Sequence, residues 1–343
     1  MQRCLQLAIA GAGNVAPNPM VGAVLVYKDV IIGEGYHQQF GSAHAEVNCI
    51  NSVSEENRPL IEKSTLYVSL EPCAHFGKTP PCADLIAAVK IPAVVIGCRD
   101  KYEEVDGKGI AQLQAAGVEV VVGILEMEAI AINKRFFTFH RQQRPYIILK
   151  WAQSYDQKIA RADFSRVHIS NDVTNRRVHK WRSEEAAIMI GANTALHDNP
   201  ALTTRLWKGS SPFRVVIDNK LKLSARSHLL SGEESTIVFN TIKNEEAGKV
   251  SYRKIDNSSN VLTQVLQALH QLKIGSVLVE GGGKLLQSFI DEQMWDEARV
   301  ITNQQLIIGN GIPSPILNSH SLVATANSGS DKIDYYEPGF DKA

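Results

Sequence analysis

The sequence predicts an α/β protein built as two domains. Short apolar runs of strand length alternate with stretches of helical spacing along most of the chain. At 343 residues the chain is longer than one hydrophobic core comfortably organises. The alternation begins afresh after the polar stretch Arg141-Gln142-Gln143-Arg144. The boundary is placed there, giving domains over 1–142 and 143–343.

In the first domain Leu5–Ala10 has helical spacing, and Gly22–Val26 with Val30–Gly35 reads as a hairpin around Lys28-Asp29. His44–Ser52 reads as a helix, Leu66–Leu70 as a strand ending at Glu71-Pro72-Cys73, and Cys82–Val89 as a helix. Ala93–Gly97 is a strand, Gly109–Ala116 a helix stopped by Gly117, and Val118–Gly123 a strand. In the second domain Tyr146–Lys150, Ala186–Gly191, Arg214–Asp218, Thr236–Phe239 and Ser276–Glu280 read as strands. Val173–Ser183, Val261–Leu272 and Leu285–Ile290 read as helices. The tail after about 326 is polar and is expected to contribute little to chemistry. No internal repeat or low-complexity segment is present.

Composition narrows the function classes. A hydrophobic share of 44% and a charged share of 21% are those of a soluble globular protein. Net formal charge is zero, so no basic footprint for nucleic acid is visible. No apolar run approaches the ~18 residues of a membrane span. Met1-Gln2-Arg3-Cys4-Leu5 lacks a signal-peptide pattern. Five cysteines, an odd number without regular spacing, suit a reducing cytoplasm with thiols free for metal. Gly11-Ala12-Gly13-Asn14-Val15-Ala16 matches G-x-G-x-x-A, but it follows a helix and precedes Pro17. A dinucleotide fingerprint needs a strand before it and a helix after it, so these glycines read as a helix stop and turn.

The chemistry-bearing pattern is His44-Ala45-Glu46, then Pro72-Cys73, then Cys82. One imidazole and two thiolates can hold Zn²⁺ and leave a fourth position to water. The metal lowers the pKa of that water to near neutrality. Glu46, two residues past the histidine, is free to carry a proton from that water to leaving ammonia. This is the H-x-E…P-C-x-x-C signature of zinc nucleobase deaminases, here stretched to Pro-Cys-x8-Cys. Both halves sit at predicted helix starts, where backbone amides favour thiolate. His75 as a fourth ligand would close the site and leave Glu46 without a task. In the insert, His75 and Lys78 bring two potential cations beside the metal, which suits a ribose phosphate. Asn18, between prolines, has both a donor and an acceptor for a pyrimidine edge.

Taken together, Asn18-Pro19-Met20-Val21-Gly22, His44-Ala45-Glu46 and Glu71-Pro72-Cys73-Ala74-His75-Phe76-Gly77-Lys78-Thr79-Pro80-Pro81-Cys82 resemble the bifunctional riboflavin-biosynthesis deaminase/reductase family. The resemblance implies a cytidine-deaminase-like first domain and a dihydrofolate-reductase-like second domain. It implies hydrolytic deamination of 2,5-diamino-6-ribosylamino-4(3H)-pyrimidinone 5′-phosphate, then NADPH-dependent reduction of its ribose to ribitol. His44, Cys73 and Cys82 would be the zinc ligands and Glu46 the proton shuttle, with Asn18, His75 and Lys78 on the substrate. In the loop resembling the family's D-P-N-P-x-V-x-G-x-G, Lys101-Tyr102-Glu103 replaces Pro-Asn-Pro. Lys150-x-Ala152-x-Ser154-x-Asp156 and Thr194-Ala195-Leu196-His197-Asp198-Asn199-Pro200-Ala201-Leu202-Thr203-Thr204-Arg205 resemble motifs of the reductase half. The match implies NADPH contacts at Ala152, Thr194, Asp198, Asn219, Gly282, Gly283, Lys284, Leu285, Leu286, Gln287 and Ser288. It implies reductase-substrate contacts at Arg182, Leu202, Arg205 and Glu280, with Arg182 and Arg205 suited to clamp a phosphate. Where the family has S-x-W-I, this chain has Ser165-Arg166-Val167-His168, so His168 stands at or near the place of a cofactor-packing tryptophan.

The partner expected is a small pyrimidine ribose phosphate, without nucleic acid or membrane, and a homo-oligomer (dimer or tetramer) is anticipated. A nucleic-acid-editing deaminase whose second domain only binds nucleotide or holds an oligomer together is the competing reading. Neutral charge and the long insert weigh against it.

Overall fold

The computed structural model describes residues 1–74, 76, 80–100 and 106–339. The chain forms two compact units, Met1–Gln143 and Arg144–Ala343.

The first unit runs α1 (Gln2–Ile9), β1 (Gly22–Tyr27), β2 (Val30–Tyr36), α2 (Ala45–Asn51), β3 (Thr65–Leu70), α3 (Cys82–Ala88), β4 (Ala93–Cys98), α4 (Lys108–Ala115), β5 (Glu119–Val122), α5 (Glu126–Ile132) and α6 (Lys134–Arg141). Its sheet has the order β2-β1-β3-β4-β5. The β1–β2 hairpin turns on Lys28 and Asp29, both with positive φ, as a two-residue turn matched to strand twist requires. β3, β4 and β5 are parallel. Their apolar residues Leu66, Val68, Val94 and Ile96 share one core with Leu25, Ala45 and Ile86. Helix α2 lies almost directly on β2. A Cβ added at Gly35 would stand 2.2 Å from the Cys49 nitrogen. The glycine therefore fixes how deeply α2, and with it His44 and Glu46, is seated.

The second unit continues β6 (Tyr146–Gln153), β7 (Lys158–Arg161), α7 (Asp172–Glu184), β8 (Ala187–Gly191), α8 (Ala192–Asp198), β9 (Phe213–Ile217), β10 (Thr236–Asn240), β11 (Glu245–Ala247), β12 (Val250–Lys254), α9 (Val261–Gln271), β13 (Ser276–Gly281), α10 (Gly283–Asp291), β14 (Glu297–Asn303), β15 (Gly311–Pro313), β16 (His320–Ser328) and β17 (Asp331–Pro338). One sheet has the order β11-β12-β10-β9-β8-β13-β6-β14-β17-β16, and β7 pairs separately with β15. From β12 to β14 the neighbours are parallel. Both sheet faces are covered, so the central strands are apolar throughout. Along β6, Ile147, Leu149 and Trp151 enter the core under α9 and α10, while Tyr146 and Ile148 enter the opposite one with Trp181.

The polar tail has a larger role than its composition suggests. β17 pairs with both β14 and β16, and Ile333 is fully buried. Asp331 accepts the Asn171 amide at 2.9 Å, and Asn171 caps α7 by accepting from Thr174 N at 3.0 Å. The tail thus fixes the start of the helix that carries Arg182.

Candidate active sites

In the first unit, the turn leaving β3, the start of α2 and the start of α3 meet. His44 is the N-cap of α2, Cys82 is the first residue of α3, and Cys73 follows β3. Nδ1 of His44 lies 3.6 Å from Cys73 Sγ and 3.3 Å from Cys82 Sγ. The three ligand atoms fall within 4.8 Å of one another, the only such His/Cys/Asp/Glu group among the described residues. The donor set fits zinc in both chemistry and number. Among the described residues three protein ligands converge, the number a catalytic zinc site uses when its fourth position is left to water. The Cys73 thiol is pulled well below its ordinary value, first by its hydrogen bond with Cys82 and then by His44. The Cys82 amide at the head of α3 donates to Cys73 Sγ at 3.3 Å.

Glu46 sits in the first turn of α2 and is 3% exposed. Burial pushes its carboxyl up, and the charge on Cys73 adds to this. A carboxyl raised in this way can both take and return a proton.

Three supports of this site went unassigned in the sequence. Glu71 is buried, and its carboxylate accepts from the amides of Asp100, Gly107, Gly109 and Ile110 at 3.1–3.2 Å. It ties the start of α4 to the strand end that presents Cys73. Asn133, at the α5–α6 junction, pairs with both backbone groups of Met20 at 2.8 and 2.9 Å, holding the Asn18-Pro19-Met20 segment. His37 joins Asn18 Nδ2 at 3.1 Å to the Ala43 carbonyl at 3.0 Å. Its ring meets that of His44 edge-on, centroids 5.5 Å apart. Of the residues expected at the pyrimidine phosphate, His75 and Lys78 lie outside the described residues, as does Lys101-Tyr102-Glu103.

In the second unit the named residues gather at the carboxyl ends of parallel strands. Ala152 lies one residue from the end of β6, Thr194 follows β8, Asn219 follows β9, Glu280 lies one residue from the end of β13, and Gly282 and Gly283 open α10. The connections diverge here. From β8 the chain moves outward to β9, β10 and β12, then returns through α9 to β13, which lies between β8 and β6. Ligands of open α/β sheets bind at such switch points.

Two observations fit a dinucleotide. Asn219 Oδ1 is buried without a hydrogen-bond partner. Gly282 has φ +76, and a Cβ there would stand 3.2 Å from Thr194 Oγ1, so the chain passes close under α8 into the amides opening α10. Within the 282–288 segment the side chains are largely committed elsewhere. Leu286 is in the core, Gln287 pairs with Asp291 and the Ile316 backbone, and Ser288 donates to the Lys284 carbonyl. The segment offers a ligand chiefly its first-turn backbone. Asp198 is exposed at the end of α8, and Leu202 is buried with φ +55.

The two arginines expected to clamp a phosphate differ in their surroundings. Arg182 gives Nε and Nη2 to Glu280 at 2.8 and 2.7 Å and Nη1 to the Thr203 carbonyl at 3.2 Å. Its fork is held by a carboxylate that is itself expected at the substrate, whereas Arg205 is exposed. Lys150 lies 3.6 Å from the same carboxylate. Burial alone would raise the Glu280 carboxyl, but Arg182 and Lys150 outweigh it and bring it to about 2. His179, beneath this group, is lowered to about 4 by burial and by Arg182 and Arg205. Lys150 stood in the sequence motif without a role, because its partner lies 130 residues away.

An open-sided His/Cys/Cys centre with a buried glutamate, followed by a parallel sheet with a glycine crossing at its switch point, defines a zinc-dependent deaminase joined to a dinucleotide-dependent reductase. The comparisons agree for each half. Residues 1–98 match the cytidine and deoxycytidylate deaminase zinc-binding region, and residues 145–321 match the RibD C-terminal domain. The chain belongs to the family of the riboflavin biosynthesis protein RibD. It is 37% identical to the protein of that name from Aquifex aeolicus, over 97% of this chain and 94% of the relative. Against the Escherichia coli protein it is 32% identical, over 90% and 87%. A crystal structure of a diaminohydroxyphosphoribosylaminopyrimidine deaminase/5-amino-6-(5-phosphoribosylamino)uracil reductase from Thermotoga maritima superposes with a TM-score of 0.90 at 36% identity, covering 98% of this chain and 97% of that one.

Proposed function

We propose that this chain carries out two consecutive steps of riboflavin synthesis: deamination of 2,5-diamino-6-ribosylamino-4(3H)-pyrimidinone 5′-phosphate, then NADPH-dependent reduction of the ribosyl group to ribityl. The observation that carries the reading is the convergence of His44, Cys73 and Cys82 with Glu46 buried beside them, in a family whose second half is a reductase.

His44, Cys73 and Cys82 would hold zinc, whose chemistry there is to activate water. Glu46 takes a proton from that water and delivers it to the departing amino group, which leaves as ammonia. Its burial excludes bulk water from the transfer. Asn18 would read the pyrimidine edge, and His75 and Lys78 would bind the ribose phosphate. NADPH would supply a hydride to C1′ of the opened sugar. Thr194, Asn219, Asp198, Ala152 and the Gly282–Ser288 backbone would hold the dinucleotide. Glu280 and Leu202 would line the sugar, and Arg205 would meet its phosphate. Arg182, which also holds Glu280, would meet the same phosphate. The chain contains no helix among its described residues long and apolar enough to cross a membrane. Work in the cytoplasm as a homo-oligomer, on a free nucleotide rather than a nucleic acid, completes the reading.

The test is a coupled assay with metal analysis on wild type and Glu46→Ala. The variant is expected to keep its zinc, lose ammonia release by about 10²–10⁴-fold and still oxidise NADPH on the deaminated intermediate. Loss of zinc with the glutamate would remove Glu46 from the shuttle role. Deamination of single-stranded RNA, with none of the free nucleotide, would favour the editing alternative.

A further inference from the structure

His37 is buried, 3% exposed, between a side chain and a backbone carbonyl. Its Nδ1 stands 3.0 Å from the Ala43 oxygen. A carbonyl can only accept, so the proton is on Nδ1. Its Nε2 faces Nδ2 of Asn18, and an NH₂ donor there is accepted only by a bare ring nitrogen, so the two contacts together describe a neutral ring. A neutral ring protonated at Nδ1 has a bare Nε2, which can only accept. The group facing Nε2 at 3.1 Å is the amide of Asn18. That amide must therefore turn its NH₂ inward, and its oxygen becomes the free end. Among the described residues Asn18 Oδ1 has no protein hydrogen bond.

The Ala43 carbonyl is itself fixed. Asn48, on α2, donates to it at 3.3 Å and to the Tyr36 carbonyl at 2.8 Å. The chain of constraint runs from a backbone oxygen beside a zinc ligand, through one ring, to one amide.

We infer that His37 sets the polarity of Asn18, so that Asn18 meets the substrate as a hydrogen-bond acceptor and selects a pyrimidine edge carrying an N–H. His37 is a positioning residue. It acts through Asn18, and the inference rests on the deaminase reading above. Without it the amide is free to turn, and half its orientations present a donor where the substrate also presents one.

The first readout is the tautomer. In ¹⁵N-histidine spectra, the signal that vanishes in His37→Leu should show a protonated Nδ1 and a bare Nε2. A proton on Nε2 overturns the inference. The second is kinetic. His37→Leu should raise the deamination KM about tenfold, the worth of one neutral hydrogen bond, with kcat nearly unchanged. In an Asn18→Leu background the same change should add nothing, because its mediator is gone. An equal rise in both backgrounds would show a merely structural role. His37→Gln places an amide oxygen where Nε2 stands and should recover most of the lost KM. Should His37→Leu fail to fold or to hold zinc, His37→Gln decides. A KM near wild type supports the inference, and a KM matching Asn18→Leu overturns it. A wild-type chain that releases no ammonia refutes the deaminase reading and this inference with it, while the tautomer remains measurable on its own.

Discussion

Replacing Glu280 with glutamine leaves two cations without their shared anion. The side chain of Glu280 is 5% exposed, and those of Arg182 and Lys150 are each 13% exposed, so water does little to relieve them. The carboxyl sits at about 2 against 4.5 for an unperturbed glutamate. At about 1.4 kcal/mol per pH unit, that displacement is about 3 kcal/mol of folding free energy. Breaking a buried ion pair by removing one partner costs about 3–5 kcal/mol, so the two routes meet. Glu280→Gln should therefore lose about 3–4 kcal/mol at neutral pH. Urea unfolding followed by tryptophan fluorescence reads this cleanly, because Trp151, Trp181, Trp207 and Trp295 all lie in the second unit. The midpoint should fall with the slope unchanged. The pH dependence has a definite sign. A carboxyl with a depressed folded pKa contributes fully above its unfolded value near 4.5 and loses that contribution as pH falls through about 2. The gap between wild type and variant should hold steady down to about pH 5 and then close toward pH 2. Adding Lys150→Met should return part of the loss by removing one stranded charge. A gap below about 1 kcal/mol at neutral pH, or one that does not narrow in acid, would refute the pairing as a structural keystone.

Two further perturbations follow from the same geometry. Gly282→Ala places a side chain at φ +76 and 3.2 Å from Thr194 Oγ1, and is expected to cost about 1–3 kcal/mol and raise the KM for NADPH while leaving ammonia release intact; thermal melts with separate assays of the two steps check it. Glu71→Gln turns an all-acceptor carboxylate partly into a donor before four amides, so hydrogen exchange at Gly109 and Ile110 should quicken at least about tenfold and deamination should slow; unchanged protection there would mean the carboxylate is not what holds the loop.

The sequence was most readable where chemistry and local periodicity coincide. His44, Glu46, Cys73 and Cys82 announce themselves because a metal needs those atoms and helix starts need those positions. Strands β6, β8, β9, β10 and β13 were visible as apolar runs since both faces of the sheet are covered, whereas β12 and β14 of the same sheet were not read. Helices α5 and α6 were not foreseen. Their apolar residues, Ala129, Phe136, Phe137 and Phe139, are spread among charged neighbours and pack only in the folded unit. The three-residue strands β11 and β15 are too short to carry a period. His37, Asn133 and Lys150 were missed for a different reason. Each acts on a partner 19, 113 or 130 residues away, and nothing local marks a side chain whose work lies at such a distance. The pairing of Arg182 with Glu280 was hidden on the same ground, since the two are 98 residues apart.

The bond between Asp331 and the head of α7 has a consequence in time as well as in space. The two residues it joins are made 160 positions apart. At about 5–20 residues per second of synthesis, α7 waits roughly 8–32 s for the strand that completes its cap. During that interval every residue of the first unit, all of them upstream of α7, has already been made. The half whose reaction comes second is thus also the half whose parts are completed second.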